Sequence, residues 1–325
     1  MERRTADRSG GRIAVLGAAS PSGAAVKAAL ADRSVPGARV SLYGHQREVA
    51  VLSEYDGEAR LVQAADEFDA ESCAAVFVCE LGHEGGRLVH AAAAGTLIVD
   101  MTGSVEGSVL AGTPAATTET RLVEVPHALT TLVFPLLEPL HRTLGVTRAS
   151  VFVLRPAADF GQPGLEELRE QTIRLLRFEP TPTDVFGRQL AFNVLPQNLA
   201  PSGEDQAAAR VVRDCRALLG TPELPISISF AMIPTFYGHA IAAHVDLARI
   251  DRNEALAAWR AMPGVAVDND DDAGATMNAP EGFRLVIARV DAVGPSTLSI
   301  WAVGSDASAG AAARAITVAV EAGVL

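Results

Sequence analysis

A glycine-rich turn near the start of the chain holds the first residues whose types and spacing suit chemistry. Gly17 and Gly23 are the outer glycines of a G-x-x-G-x-x-G pattern in which Ser20 takes the middle position, and Ser22 precedes the last glycine. A middle glycine lets the backbone approach a pyrophosphate at a helix N-terminus, where unpaired N–H groups and the helix dipole favour anions. Ser20 adds a side chain at that point. Two interpretations stay open: a dinucleotide site, or a turn that only packs the first helix against a sheet.

The end of the second predicted strand bears on the same cofactor. Residues 43–47 lack the acid that usually holds an adenine-ribose hydroxyl. Arg47 could instead face a 2′-phosphate. The segment is therefore compatible with NADP but does not demonstrate a dinucleotide.

The three cysteines indicate a reducing compartment, because Cys73, Cys79 and Cys215 are too few for a disulfide framework in a chain of this size. Cys79 ends a predicted strand, and ligands bind at strand ends in open α/β sheets. Free cysteine is nevertheless a common buried apolar residue, so core packing is the expected role of Cys79.

No metal site is expected from the spacing of histidines and acids. His239 and His244 are five residues apart with two alanines between them, and His83-Glu84 does not continue to a second histidine. The acidic run at 268–272 begins like a calcium loop, but it lacks the glycine at the sixth position and the glutamate at the twelfth. A solvated loop is the better interpretation of that run.

The elements that must position these residues alternate in the first third of the chain. Apolar runs at 12–16, 38–43, 75–79 and 96–100 predict buried strands, with helices from about Ser22 and Gly86 between them. This alternation predicts a doubly wound parallel sheet. After residue 126, a helix at 130–144 precedes longer strands at 149–154, 226–230, 241–247, 284–291 and 298–303, followed by a nearly uncharged helix at 307–322. These fit a mostly antiparallel sheet with covering helices.

Size and charge restrict the partners. The chain has 325 residues, 49% hydrophobic and 20% charged, which suffices for buried cores in two domains. Its formal net charge of −12 would repel a phosphate backbone or an anionic membrane surface, so neither nucleic acid nor a membrane is an expected partner. No segment approaches the roughly 18 apolar residues of a spanning helix, and we expect a cytoplasmic location.

Several longer strings occur in an order that is specific to one family. They are the turn at 17–23, Val-Pro at 125–126 ahead of a helix with Glu-Pro-Leu at 138–140, Phe-Gly-Arg-Gln-Leu-Ala-Phe-Asn at 186–193, Pro-Thr-Phe-Tyr-Gly-His at 234–239, and Trp301 followed by Gly-Ala-Ala at 310–312. On these residues, the chain resembles the aspartate-semialdehyde dehydrogenases over nearly its whole length. The strings at 186–193 and 234–239 look closest to the divergent Usg-type branch.

The resemblance implies a fold, a cofactor and a reaction. It implies an NADP-binding Rossmann-like domain at 1–130, an α+β dimerisation and substrate domain at 131–306, a last helix at 307–325 that packs back on the first domain, and a homodimer. In the family, a cysteine thiolate attacks an aldehyde, hydride passes to NADP, and phosphate cleaves the thioester.

The family's nucleophile position is the clearest departure. Counting back ten residues from Glu138 reaches Ala128, which cannot attack a carbonyl. No cysteine lies between Cys79 and Cys215, so realignment cannot restore the thiol. Thr130 is near, but an alkoxide is much harder to form at neutral pH than a thiolate.

The family's other functional positions also change, with one exception. The general-base position keeps its histidine, His239, which without a thiol is expected to be a hydrogen-bonded scaffold residue. The others are Arg155 for a glutamine that positions the acyl intermediate, residues 158–162 for the Ser-Gly-Ala-Gly-Lys turn after it, Met232 for the arginine that grips the substrate carboxylate, and Asp306 for an asparagine near the nicotinamide. Arg155, Arg188, Arg210 and Arg289 could hold an anionic ligand or pair with carboxylates.

Three functions follow as hypotheses. The first is a family member without catalysis, or with a new role, that binds a nucleotide or a small anion. The second is an active NADP-dependent semialdehyde dehydrogenase, or a related oxidoreductase of amino-acid biosynthesis, that uses Thr130 or needs no covalent intermediate. The third is a regulatory partner subunit that forms mixed dimers with a true dehydrogenase.

Overall fold

The computed structural model describes residues 11–45, 52–196, 205–268, 274–275, 284–304 and 306–325. The chain divides into two compact units, one of Met1–His127 with Ser308–Leu325 and one of Ala128–Ala307. Each unit is built on a sheet of seven strands. Arg47 and residues 269–272 of the acidic run lie outside the described residues.

The first unit contains a parallel sheet and a small hairpin. Its strands are β1 (Ile13–Leu16), β2 (Val40–Gly44), β3 (Leu52–Tyr55), β4 (Glu58–Leu61), β5 (Gln63–Ala64), β6 (Ala75–Val78), β7 (Leu97–Asp100), β8 (Val109–Leu110) and β9 (Leu122–Glu124), and its first helices are α1 (Pro21–Asp32) and α2 (Gly85–Ala93). The order is β5-β2-β1-β6-β7-β9-β8, with every pair parallel, and β3 and β4 pair separately as an antiparallel hairpin. The strands β1, β6 and β7 are buried along their whole length, as is typical of a parallel sheet, and all of their residues except Asp100 are apolar.

The second unit contains a mixed sheet with helices. Its elements are α3 (Thr130–Leu144), β10 (Val146–Arg155), α4 (Gly161–Leu176), β11 (Leu195–Pro196), α5 (Asp205–Leu219), β12 (Ile226–Met232), β13 (His239–Leu247), α6 (Arg252–Arg260), β14 (Val265–Val267), β15 (Leu285–Ala292) and β16 (Thr297–Gly304). The order is β11-β12-β10-β13-β16-β15-β14, in which β10–β12 and β14–β15 are parallel and the other pairs antiparallel. The last helix of the chain is α7 (Ala307–Glu321).

The main core of the second unit forms where α3 packs against α5 and α6 over the sheet. Trp259 of α6 is fully buried there and donates its indole N–H to the Leu136 carbonyl of α3 at 3.0 Å. Gly145 ends α3 with a left-handed φ of 71°, and its N–H bonds back to the helix. These contacts hold the middle and the C-terminal end of α3 in the core.

The predicted fold class is confirmed, with a parallel α/β sheet in one unit and a mostly antiparallel sheet in the other. Strand ends differ most at β10, predicted at 149–154 and observed at Val146–Arg155. Thr147 and Arg148 are exposed polar residues, so they gave no apolar signal. Among the described residues, no helix combines the length and apolar character that crossing a membrane requires.

Candidate functional site

Three charged side chains meet at one end of the second unit's sheet. His239 Nε2 lies 2.9 Å from Asp159 Oδ1 and 3.1 Å from Asp159 Oδ2. Arg155 Nε donates to Asp159 Oδ2 at 2.7 Å. The side chains are 2% exposed for His239, 9% for Arg155 and 10% for Asp159, so the cluster is nearly removed from water. We call these three residues the ion cluster.

The strands and one short turn determine where the ion cluster forms. Arg155 is the last residue of β10 and His239 is the first of β13, and the two strands pair antiparallel. Asp159 lies in the one-turn helix Ala157–Phe160 that follows β10. The N–H groups of residues 157 and 158 bond the carbonyls of residues 235 and 236 at 2.9 and 3.0 Å. These backbone bonds hold the turn against the loop that leads into His239.

The neighbouring side chains His239 and Arg155 set the charge of Asp159. Burial alone would raise the pKa of this carboxyl, but the charges and hydrogen bonds of His239 and Arg155 outweigh it and hold the pKa well below its usual range. The Arg155 guanidinium also lies over two aromatic rings, 5.3 Å from the centre of Phe160 and 5.8 Å from that of Phe230. Asp159 is therefore an internal carboxylate between two fixed donors.

Ala128 and Thr130 lie at the start of α3. Ala128 packs against the main core of the second unit. Thr130 is 1% exposed, and its hydroxyl donates to Asp214 Oδ2 at 3.3 Å. Asp214 also accepts from Arg213 Nη2 at 2.8 Å. The hydroxyl proposed as a substitute nucleophile is thus bound to a buried carboxylate of α5.

Met232 is the last residue of β12 and is 1% exposed. It belongs to a small apolar cluster with Ala157, Leu168, Phe186, Leu190, Ala191 and Leu195. The thioether therefore packs against apolar side chains, at the position where the family resemblance predicts a substrate-binding cation. Three predicted residues thus fall into two environments, with Met232 in this cluster and Arg155 and His239 in the ion cluster.

The family string at 186–193 contributes several side chains to that apolar cluster. It is held by two buried side chains of α4 rather than by secondary structure of its own. Glu167 accepts from the N–H groups of residues 185 and 186 at 2.7 and 3.1 Å. Gln171 accepts from those of residues 190 and 191 at 2.7 and 3.0 Å. The string therefore has a packing role in this chain.

The three cysteines lie in environments that raise the pKa of their thiols. Cys215 of α5 is fully buried in the main core of the second unit, and burial raises the pKa of its thiol. Cys73 and Cys79 belong to the first unit, and burial raises the pKa of both thiols. The thiol of Cys79 lies 3.8 Å from Met101 Sδ. These environments favour the neutral, unreactive thiol.

The glycine-rich turn of the first unit has the geometry of a close-packed strand-to-helix connection. Gly17 has φ +79°, and a Cβ there would lie 2.4 Å from that of Glu80, while a Cβ on Gly23 would lie 2.2 Å from the Gly17 carbonyl oxygen. Ser20 folds back into the turn: its hydroxyl donates to that carbonyl at 2.8 Å and accepts from the Gly23 N–H at 3.0 Å. Ser20 is therefore the N-cap of α1, with Ser22 in the first turn of the helix.

The remaining predicted positions are more dispersed. Asp306 is exposed immediately before α7. Arg289 is exposed and pairs with Asp291 at 2.6 Å, and Arg188 is exposed as well.

Within the described ranges, no group of three or more His, Cys, Asp or Glu side chains is placed to hold a metal ion. Sequence reasoning missed Asp159, and its one available signal was an acid at a glycine position of the family turn.

The ion cluster binds charge but offers no nucleophile. Its histidine nitrogen and guanidinium donate to a carboxylate that the chain itself provides. Such a group can hold a proton at His239 Nε2 and fix an anion between two donors. It cannot form a covalent acyl intermediate, because that step needs a thiol or an activated hydroxyl.

Comparison with known proteins places the chain in a family. The model of the semialdehyde dehydrogenase dimerisation domain matches residues 137–306, a little over half of the chain. Aspartate-semialdehyde dehydrogenase 2 of Vibrio cholerae is 25% identical over 323 residues, covering 94% of this chain and 96% of that protein. The USG-1 protein homolog of Azotobacter vinelandii is 27% identical over 335 residues, with the same coverage.

A solved structure of a probable aspartate-semialdehyde dehydrogenase from Pseudomonas aeruginosa has the same fold, with a TM-score of 0.81 at 24% identity over 94% of this chain and 96% of that one. The resemblance expected from the strings at 186–193 and 234–239 is confirmed by the relatives of both kinds. The chain belongs to the semialdehyde dehydrogenase family.

Proposed function

We propose that this chain is a non-catalytic or re-purposed member of the semialdehyde dehydrogenase family. The observation that carries the proposal is the 2.9 Å contact between His239 Nε2 and the Asp159 carboxylate, in a chain with Ala128 at the nucleophile position. A general base must reach the proton of a nucleophile. Here the ring nitrogen binds an internal carboxylate, and the methyl group of Ala128 has no proton to transfer.

The environment of Thr130 argues against an active enzyme that uses a hydroxyl. Its oxygen is buried and directed at Asp214 rather than held in a polar cleft. A threonine alkoxide is also much harder to form near neutral pH than a thiolate, and an ester is less reactive toward phosphate than a thioester. The turnover assay below tests the other active-enzyme alternative, in which hydride is transferred without a covalent intermediate.

NADP is the nucleotide that we propose for the first unit, because the family resemblance implies it and the Gly17–Gly23 turn has the required strand and helix on either side. The fit is incomplete. Ser20 does not project from the turn, but its hydroxyl occupies the Gly23 N–H, one of the helix-start donors that bind phosphate. We therefore expect weaker binding than a three-glycine turn gives.

We also propose that two copies of the chain associate through the second unit. The matched family region is a dimerisation domain, and β10 carries a row of outward-facing side chains that are exposed in the single chain. Phe152 in that row is 40% exposed. Sedimentation velocity should give twice the chain mass. Phe152→Asp should shift the equilibrium toward monomer. A monomeric unaltered chain would contradict this proposal.

Co-purification with an active family member tests the mixed-dimer alternative.

The decisive experiment measures NADPH formation from aspartate semialdehyde, NADP and inorganic phosphate. We expect no turnover from the unaltered chain or from Ala128→Cys, because His239 stays bound to Asp159 and Met232 supplies no cation. An active family member serves as the positive control. Turnover by the unaltered chain that survives further purification would contradict the proposal, and loss of that turnover in Thr130→Val would assign it to the hydroxyl.

A further inference from the structure

We propose that Arg155 and His239 form a carboxylate-binding site that this chain fills with its own Asp159. The inference deepens the proposed function, on which it rests, because an occupied site cannot accept the carboxylate of a substrate. Its ligand class is a small monocarboxylate, for which the Asp159 side chain is the internal equivalent.

The contacts of Asp159 are those expected of a bound acid. One donor is the Arg155 Nε at 2.7 Å and the other is the His239 Nε2 at 2.9 Å, and both are bonds to charged or chargeable groups. Such bonds are shorter and about twice as strong as neutral ones. Each of the three side chains is at least nine-tenths buried, so solvent competes little with the pairing.

Contacts besides those with Asp159 also position the two donors. The guanidinium of Arg155 packs over the rings of Phe160 and Phe230, and Phe160 in turn contacts Phe186 edge-on at 5.3 Å. The backbone of His239 is fixed at the start of β13 by its partner Gly304 in β16. We therefore expect both donors to stay beside the volume that Asp159 fills when the carboxylate is removed.

The family resemblance also bears on Asp159. It implies that residues 158–162 stand where the family has a Ser-Gly-Ala-Gly-Lys turn, with Asp159 in place of the first glycine. Glycine has no side chain, and a turn with glycine there would leave the space between Arg155 and His239 open. The acid at this position thus supplies a carboxylate where the family turn supplies none.

The space that the Asp159 side chain fills determines which ligand would fit there. Two nearly planar donors bind the two oxygens of one carboxylate, and the volume released by Asp159→Gly is that of a CH₂-carboxylate group. Acetate has the same atoms, and formate has one carbon fewer. A tetrahedral phosphate has two further oxygens, which would need donors beyond these two.

The test uses the full-length protein and thermal unfolding in sodium acetate, sodium formate or sodium chloride at equal ionic strength. Asp159→Gly should be stabilised by acetate and formate in a saturable manner, with the unfolding equilibrium constant falling about 100-fold at one hundred times the Kd. The unaltered chain and Asp159→Asn, which keep the volume filled, should respond to acetate as they do to chloride. The double variant Asp159→Gly with Arg155→Gln should lose most of the acetate response.

Either of two results would overturn the proposal: an acetate response of Asp159→Gly no larger than its chloride response, or an equal acetate response in Asp159→Asn. If Asp159→Gly does not fold in buffer, it is refolded with each salt, and recovery in acetate but not in chloride supports the site, whereas recovery in neither contradicts it. Inorganic phosphate at the same ionic strength separates carboxylate binding from general anion binding. These measurements use neither NADP nor an aldehyde, so their failure is distinct from turnover in the assay above.

Discussion

Arg155 and Met232 are direct partners in the parallel register of β10 and β12, each as the last residue of its strand. The family resemblance predicts a glutamine at the first position and a cation at the second. In this chain the guanidinium of Arg155 on β10 bonds Asp159, and the thioether of Met232 on β12 lies among apolar side chains.

The buried pairing of Asp159 leads to a first prediction. Asp159→Asn should lower the free energy of unfolding by about 3–5 kcal/mol, because Arg155 stays buried without its carboxylate. Urea unfolding followed by circular dichroism measures the change. The matched control is Asp291→Asn, which breaks an exposed pair with Arg289 and should cost less than about 1 kcal/mol. Equal costs for the two variants would show that the ion cluster is not the stabilising group described here.

The low pKa of Asp159 predicts how stability depends on pH. Its folded pKa lies below the unfolded value of about 4, so the stabilisation is complete above that pH and is lost as the pH falls toward the folded pKa. The difference in unfolding free energy between the unaltered chain and Asp159→Asn should therefore shrink below about pH 4. Urea unfolding at several pH values between 3 and 7 measures it, and a difference that stays constant through pH 3 would contradict the assignment.

The N-cap role of Ser20 predicts that two substitutions differ in their cost to stability. Ser20→Gly should strengthen NADP binding, because it frees the Gly23 N–H and removes a side chain at small cost to the helix. Ser20→Ala frees the same N–H but should lower stability by about 1 kcal/mol through loss of the cap. Isothermal titration with NADP and urea unfolding measure the two quantities. NADP binding that is tighter in the unaltered chain than in Ser20→Gly would reverse this interpretation.

The packed thiols predict slow labelling. Burial raises the pKa of all three cysteines, so few thiolates exist at pH 7 to react with a disulfide reagent such as DTNB. We expect much less than one thiol per chain to react rapidly in the folded protein. In guanidinium chloride the same assay should report three thiols. Rapid labelling of one native thiol would identify a reactive cysteine and reopen thiol chemistry.

The sequence predicted the sheets well where burial is continuous. The strands at Ile13–Leu16 and Leu97–Asp100 are buried along their length, and their apolar runs located them within one residue. The helix Thr130–Leu144 was predicted with its observed bounds. Polar strand ends and two-residue strands carry no such periodicity, so β5, β8 and β11 have no counterpart in the prediction.

The candidate site was only half predictable, for reasons of distance along the chain. His239 and Arg155 came from family correspondence, but Asp159 lies 80 residues before its histidine partner and in a turn without periodic pattern. The fold alone brings them together. Ser20 was different, because Ser-Pro at a helix start is a local capping signal that could have shown where its hydroxyl bonds.

The backbone amides of the segment after α4 depend on Glu167 and Gln171 for their protection from solvent. Four of its amide hydrogens are shielded by two side chains of one helix rather than by a strand partner. Their exchange with solvent is therefore tied to the integrity of α4, and the helix and the segment should open as one cooperative unit. We therefore expect the residues of this segment that pack against Met232 to move only when α4, some twenty residues earlier in the chain, unwinds.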